Sequence, residues 1–211
     1  MSGRLKIMHE PTVYIVDDDN SVRDSLSLLL NFRGFRTREF ASAEAFLEAW
    51  HNDLRGCLLL DLRMTGMDGL VLQQILAERG SRLPIVFLSG HGDIAQAKAA
   101  LKAGAIDFLE KPIDHESLFT SLNEALKKDT LQQVEDQRIA DIEARIKRLS
   151  ERERQVMERV VAGRHNREIA AELEISPRTV EVFKARMMEK MQARSVPELV
   201  KLALEASSSQ I

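Results

Sequence analysis

The run Gly56-Cys57-Leu58-Leu59-Leu60-Asp61 constrains the fold more than any other stretch of this chain. Its apolar part is too short for a helix and stops at a carboxylate, after which Gly66 and Gly69 force turns on both sides of Asp68. A buried parallel strand that delivers an acid to its C-terminal edge reads in this way. In open α/β sheets that edge is where ligands are held. Asp61 has a plain reading, as the cap of the next helix. It also has a chemical one, as a nucleophile or metal ligand whose companions come from other strand ends.

Those strand ends follow from the rest of the first half. Thr12-Val13-Tyr14-Ile15-Val16 is β-branched and aromatic and ends at Asp17-Asp18-Asp19. Residues 35–40 read as a strand, Ile85-Val86-Phe87-Leu88 runs into Ser89-Gly90-His91-Gly92, and Ile106-Asp107-Phe108-Leu109 precedes Lys111-Pro112. Helices are predicted from a cap at Asn20 or Asp19 to a stop at Gly34, and over 42–51, 69–79 and 93–103. Alternating strand and helix through five repeats predicts a five-stranded doubly wound parallel sheet of flavodoxin-like type.

From Asp114 to about Arg148 no glycine or proline interrupts the chain, so a helix runs on beyond the sheet domain. Leu118, Leu122 and Leu126 belong to that domain. Ile139, Ile142, Ile146 and Leu149 repeat at 3-4-3 spacing and read equally as an exposed connector or as a dimer seam. The last stretch has four helical segments and no strand. Ser150-Glu151-Arg152-Glu153 is a capping box opening a helix to Val161, Asn166 to Leu173 is a short helix, and Glu174-Ile175-Ser176 is a tight turn. Ser176-Pro177 then caps a helix to about Met191, and a fourth covers 196–206. Two short helices around a tight turn are a helix-turn-helix signature. The expected organisation is thus a sheet domain over 11–126, a helical linker over 127–148 and an all-α four-helix domain over 149–207.

Charge is uneven between these parts. Residues 1–125 carry 13 Lys and Arg against 18 Asp and Glu, and residues 149–211 carry 11 against 10. A cluster of acids suits a cation site, while a faintly basic helical domain is only a weak footprint for nucleic acid. No apolar run approaches the roughly 20 residues that span a bilayer. Nor does Arg4, Lys6 and His9 among small and apolar residues make a signal segment, so a cytoplasmic protein without membrane partners is expected. The single cysteine, Cys57, excludes an internal disulfide and a cysteine-based zinc site.

Asp17, Asp18, Asp19, Asp61, Ser89 and Lys111 all sit at strand ends that a doubly wound sheet sets side by side. Carboxylates gathered there repel unless a cation joins them, and hard oxygen ligands with open water positions select Mg²⁺. Such a site suits phosphoryl transfer to Asp61, with Lys111 supplying fixed positive charge and Ser89 a hydrogen bond.

Val16-Asp17-Asp18-Asp19, Asp61-Leu62-Arg63-Met64 with Gly66-Met67-Asp68-Gly69, Ser89-Gly90-His91-Gly92-Asp93 and Glu110-Lys111-Pro112 resemble the receiver domain of two-component response regulators. Leu149-Ser150-Glu151-Arg152-Glu153-Arg154-Gln155-Val156, Asn166-Arg167-Glu168-Ile169-Ala170 and Ile175-Ser176-Pro177-Arg178-Thr179-Val180-Glu181-Val182 resemble the LuxR-type DNA-binding domain. Their pairing is similar to the FixJ branch of the NarL/FixJ family and covers nearly the whole chain. The resemblance implies Asp61 as phosphoacceptor, Asp18, Asp61 and the Arg63 backbone carbonyl as Mg²⁺ ligands, and Asp17 as supporting acid. It also implies Ser89 as switch hydroxyl, Phe108 as switch aromatic, Lys111 as the phosphoryl-binding lysine, and a cis bond before Pro112. The implied function is a DNA-binding transcriptional regulator phosphorylated by a sensor histidine kinase and homodimeric when phosphorylated. Its further partners would be double-stranded promoter DNA and RNA polymerase, and it would not be a turnover enzyme.

Thr179, Val180, Glu181 and Val182 open the second helix of the motif and are candidate base readers, with Arg164, Asn166, Arg178, Lys184 and Arg186 as candidate phosphate contacts. Two departures from the family pattern stand out. Thr65 replaces the proline usual after Met64, which predicts a looser loop, and Phe183 stands where histidine or tyrosine is common, removing a polar contact to DNA. A rival reading comes from the enzyme class. Asp17-Asp18-Asp19-Asn20-Ser21 approximates the nucleophile motif of haloacid-dehalogenase-type phosphatases, with Asp17 as nucleophile and Asp19 as acid/base. That reading leaves Asp61 without a role.

Overall fold

The computed structural model describes residues 11–90 and 94–208, which divide between Gln132 and Gln133 into two compact units. In the first unit the chain alternates β1 (Thr12–Val16), α1 (Asn20–Phe32), β2 (Arg36–Phe40), α2 (Ala43–Ala49), β3 (Gly56–Asp61), α3 (Gly69–Glu78), β4 (Ile85–Ser89), α4 (Ile94–Lys102) and β5 (Asp107–Glu110). A long helix, α5 (His115–Lys147), follows and contributes residues to both units. All strand pairs are parallel, in the order β2-β1-β3-β4-β5. This is the expected doubly wound sheet, and its order reverses between β1 and β3, where such sheets open a crevice beyond the strand ends.

Burial explains why these segments are strands. Every residue of β3 and β4 is buried, as both faces of an inner parallel strand must be, whereas edge strand β2 buries only Phe40. Because successive side chains point to opposite faces, the sheet sorts its residues into two layers. Tyr14, Val16, Leu58, Leu60 and Phe87 pack with Phe46, Leu72 and Leu76 on one side. Val13, Ile15, Cys57, Leu59, Val86 and Leu88 pack with Leu26, Leu30, Leu118 and Leu122 on the other. Burial pushes the Cys57 thiol far up, so it behaves as an inert apolar side chain.

The register fixes the site. Val16 pairs with Leu60, Asp61 with Leu88, and Ser89 with Glu110, so Asp17, Asp61, Ser89 and Lys111 emerge from neighbouring strand ends at one level. Gly69 makes the next helix possible at that edge, since a Cβ there would lie 2.5 Å from the Asp61 carbonyl oxygen.

In the second unit the end of α5 joins α6 (Glu151–Val161), α7 (Asn166–Leu173), α8 (Pro177–Met191) and α9 (Val196–Ser208). Ser150 and Glu153 form the capping box of α6, and Ser176 caps α8 with Pro177 in its first turn. Glu153 also accepts from Lys190 Nζ at 2.6 Å, and that pairing holds its carboxyl below the usual range. Val156, Val160, Ile169, Val180, Met187, Met191 and Leu199 form the core. The stripe read as a connector or a dimer seam has another use. Ile142 and Leu149 are buried in this core and Ile146 packs against it, because the last turns of α5 are amphipathic toward the unit's own helices.

Candidate functional site

Asp17 and Asp61 are buried and Asp18 is exposed, and one carboxylate oxygen from each lies within 4.8 Å of the other two. Lys111 ties the first two together: its Nζ donates to Asp17 Oδ2 at 2.8 Å and to Asp61 Oδ1 at 2.6 Å. The remaining oxygens also have partners. Asp17 Oδ1 accepts the Asp19 N–H at 2.9 Å, and Asp61 Oδ2 accepts the Arg63 N–H at 3.1 Å. Asp18 Oδ2 accepts both the Thr65 N–H at 2.7 Å and the Thr65 hydroxyl at 2.8 Å.

The electrostatics follow from these contacts. Burial raises the Asp61 carboxyl above its ordinary value, against the pull of Lys111 and with a further push from Asp17. For Lys111, burial works downward, but hydrogen bonds to Asp17 and Asp61 and the field of both acids outweigh it and hold the ammonium above its ordinary value. Asp18 is lowered, first by the Thr65 amide and then by its hydroxyl. Three carboxylates against one ammonium leave the cluster net negative. Oxygen donors of this kind, close enough for one ion to draw together, fit a hard divalent cation such as Mg²⁺.

Ser89 is buried at the end of β4, where its Oγ donates to the Gly90 carbonyl at 3.1 Å. The rest of its motif, His91 to Asp93, lies outside the described residues, as do Arg4, Lys6 and His9. Phe108 on β5 is half-buried, its ring 6.3 Å from that of Phe87. The Lys111-Pro112 bond is cis.

Three contributors were not read from the sequence. Arg23, buried on α1, donates to the Asp17 carbonyl at 2.7 Å and to Asn20 Oδ1 at 2.7 Å, and so braces the acidic loop from behind. A basic residue on the inward stripe Arg23, Leu26, Ser27, Leu30 was the available signal. Glu44 on α2 accepts the Met67 N–H at 3.0 Å, and Thr65 grips Asp18. The loop predicted to be loose for want of proline is therefore tied at two points.

The phosphatase alternative fails on geometry as well. Asp19, which that reading needs as acid/base, is the N-cap of α1, its side chain accepting the Ser21 N–H at 2.8 Å. An acid/base cannot serve while fixed as a cap facing its own helix.

In the second unit Arg178, Glu181, Val182 and Arg186 are exposed along α8, as expected of one face at helical spacing, and Arg164 is exposed before α7. Asn166, Thr179 and Lys184 are partly exposed. Val180 is a correction: it is fully buried in the core, since four consecutive helical residues cannot all face outward. Thr179 is engaged in the cap, its N–H donating to Ser176 Oγ. Phe183 packs partly against the core. Arg164 and Arg159 both reach Glu172, at 3.7 and 2.8 Å.

Comparison with known proteins matches residues 13–123 to the family described as response regulator receiver domain, and residues 147–203 to bacterial regulatory proteins, luxR family. The transcriptional regulatory protein FixJ of Bradyrhizobium diazoefficiens is 44% identical over 194 residues, covering 92% of this chain and 95% of that protein. FixJ of Rhizobium meliloti is 45% identical over 198 residues, covering 93% and 97%. The response regulator protein TmoT of Ectopseudomonas mendocina is 45% identical over 193 residues, covering 92% and 88%. Among solved structures, the response regulator StyR aligns with a TM-score of 0.82 and 39% identity, covering 93% of this chain and 99% of that one. Full-length FixJ from B. japonicum aligns with a TM-score of 0.58 and 43% identity, covering 94% and 98%.

Proposed function

The chain belongs to the NarL/FixJ family of response regulators, transcriptional regulators that join a receiver to a LuxR-type DNA-binding domain, and on that premise we propose that phosphorylation of Asp61 controls its binding to promoter DNA. The observation that carries this reading is the meeting of Asp17, Asp18 and Asp61 around Lys111 at the switch point of the sheet. An Asp61 carboxylate oxygen attacks the phosphorus of a phosphohistidine on a sensor kinase, a P–O bond forms, the P–N bond breaks, and the imidazole leaves with its electron pair. Asp18, Asp61 and the Arg63 carbonyl would hold Mg²⁺, with Asp17 in support, and the ion would neutralise charge on the transferring group. Lys111 is released from bridging two acids and pairs with the new phosphoryl oxygens.

Ser89 and Phe108 connect this event to pairing. In our reading Ser89 turns from the Gly90 carbonyl toward the phosphoryl group, Phe108 packs into the space it leaves, and the surface over 93–126 becomes the contact of a two-fold homodimer. Charge on this surface supports self-pairing, with exposed Lys98, Lys102 and Leu101 on α4, exposed Glu110 at the end of β5 and exposed Asp114 beyond it. A shift from about 1:99 to 99:1 needs about 5.5 kcal/mol, more than one hydrogen bond supplies, so aromatic repacking has to contribute. Ser89→Ala is expected to accept phosphate at Asp61 yet remain largely monomeric in sedimentation. Equal dimerisation of phosphorylated wild type and variant would reject this coupling.

Two copies of α8 would then read half-sites about one helical turn apart. Glu181 and Val182 are the outward candidates for base edges, a carboxylate suiting cytosine amino groups and a branched methyl suiting thymine. Lys184→Ala should weaken binding alike on all sequences and reduce the salt slope by about one unit, whereas Glu181→Ala should relax sequence choice. Uniform loss from both variants, measured across a panel of duplexes, would reject that division. RNA polymerase is the partner such a promoter-bound dimer would act on, and the cytoplasm is where promoter and kinase phosphate meet. Among the described residues no helix is long and apolar enough to cross a membrane.

A further inference from the structure

We propose that Thr65 is a positioning residue for the divalent cation: its amide and hydroxyl together fix the Asp18 carboxylate through Oδ2 and leave Oδ1 for the ion. The inference rests on the Mg²⁺ reading above and extends it to a residue whose family counterpart is usually proline, which has no N–H to donate.

The three acids are held in different ways. Asp17 and Asp61 are buried and share Lys111, so their orientations are fixed by packing and by an ammonium between them. Asp18 is exposed and, unlike them, does not reach Lys111 by a hydrogen bond. An exposed carboxylate must lose rotational freedom on binding an ion, a cost that prior hydrogen bonds remove. Thr65 supplies two such bonds to one oxygen, at 2.7 and 2.8 Å, from a residue 47 positions along the chain.

Thr65 can do this because its own backbone is held on both sides. Met64 before it is buried, and after it Gly66 takes φ +86° and the Met67 N–H is bound by Glu44 at 3.0 Å. The Gly69 N–H closes the loop onto the Leu62 carbonyl at 2.9 Å. The donor pair is thus anchored to β3 and to α2, and through it Asp18 is oriented relative to Asp61, the last residue of β3. Outer-shell hydrogen bonds to ligands act in this way on metal affinity.

The test is a calorimetric Mg²⁺ titration of the full chain with no phosphoryl donor, on wild type, Thr65→Val, Thr65→Ser and Asp18→Asn. Valine keeps the shape and the amide but lacks the hydroxyl, and because Thr65 is exposed the thermal midpoint in chelator should match wild type. Thr65→Val is expected to bind Mg²⁺ about tenfold more weakly and Thr65→Ser within about twofold of wild type. Thr65→Val binding as tightly as wild type or more tightly, with Asp18→Asn impaired, overturns the inference alone. Thr65→Ser as weak as Thr65→Val overturns it too, since the methyl and not the hydroxyl would then matter. Wild type and Asp18→Asn binding alike overturns the metal reading, and the inference with it.

Discussion

Asp61→Asn is expected to abolish incorporation of a phosphoryl group from either a phosphorylated kinase or a small-molecule donor, and removal of Mg²⁺ by a chelator is expected to do the same to wild type. Asp17 is the more deeply buried of the two inner acids, 1% exposed against 5% for Asp61, which favours Asp61 as the acceptor. Asp18 is turned into the Thr65 clamp. A dianionic donor approaching three acids with one ammonium among them meets net repulsion, which is the reason a cation is expected to be needed. The variant should fold normally. Burial raises the Asp61 carboxyl, so the folded state takes up its proton more readily than the unfolded chain and stability falls as pH rises between those two pKa values. An ionised Asp61 therefore costs stability at neutral pH, and asparagine of the same shape does not carry that cost. The thermal midpoint of Asp61→Asn in metal-free buffer near neutral pH should be no lower than that of wild type. Intact-mass measurement of the phosphoprotein decides the first point, since persistent labelling of Asp61→Asn at the wild-type level would exclude Asp61 as acceptor.

Lys111→Met should have the second largest effect, on stability as well as on phosphorylation. It removes the ammonium that lies 2.6 Å from Asp61 and 2.8 Å from Asp17 and leaves two buried acids facing each other. Breaking a buried pair typically costs about 3–5 kcal/mol, and because Lys111 is 28% exposed and partly solvated we expect about 2–3 kcal/mol here. Because Mg²⁺ can replace the missing positive charge, the loss should be seen in chelator and be largely recovered in millimolar Mg²⁺. Recovery of stability without recovery of phosphoryl-dependent dimerisation is the expected pattern, since the phosphoryl group would have lost its lysine. A melting temperature independent of Mg²⁺ in Lys111→Met would contradict the shared-charge account.

The sheet was legible because its inner strands are short apolar runs between glycines and acids, a pattern with few other solutions. The acids of the site were legible for the same reason: a strand that stops at Asp17 or Asp61 has to put the carboxylate at its end. What stayed hidden were contacts set by the folding of loops against one another. Nothing local to Thr65 announces Asp18, 47 residues away, and the same substitution for proline suggested a looser loop when it in fact supplies two donors. Asp19 illustrates the opposite case, since the cap that the sequence left open between Asp19 and Asn20 is Asp19, beside two acids of the cluster. A linear reading of the start of α8 puts Val180 outward, whereas helical spacing puts it in the core. Its spacing of seven and eleven from Met187 and Met191 marks the inward stripe on which all three are buried. The isoleucines of α5 show the limit of periodicity, for Ile142 and Ile146 declare an apolar face but not whether its partner is another copy or the helices that follow.

If the state of Asp61 sets the DNA affinity of the helical unit, fluorescence anisotropy of one promoter duplex will show it, titrated with wild type and with Asp61→Asn, each with and without a phosphoryl donor and Mg²⁺ at fixed salt. Coupling between two sites in one protein usually amounts to about 5- to 150-fold in affinity, and phosphorylated wild type is expected to gain within that range while Asp61→Asn gains nothing. Equal stimulation of both proteins by the donor, or no gain in wild type shown by mass to be fully phosphorylated, would contradict it.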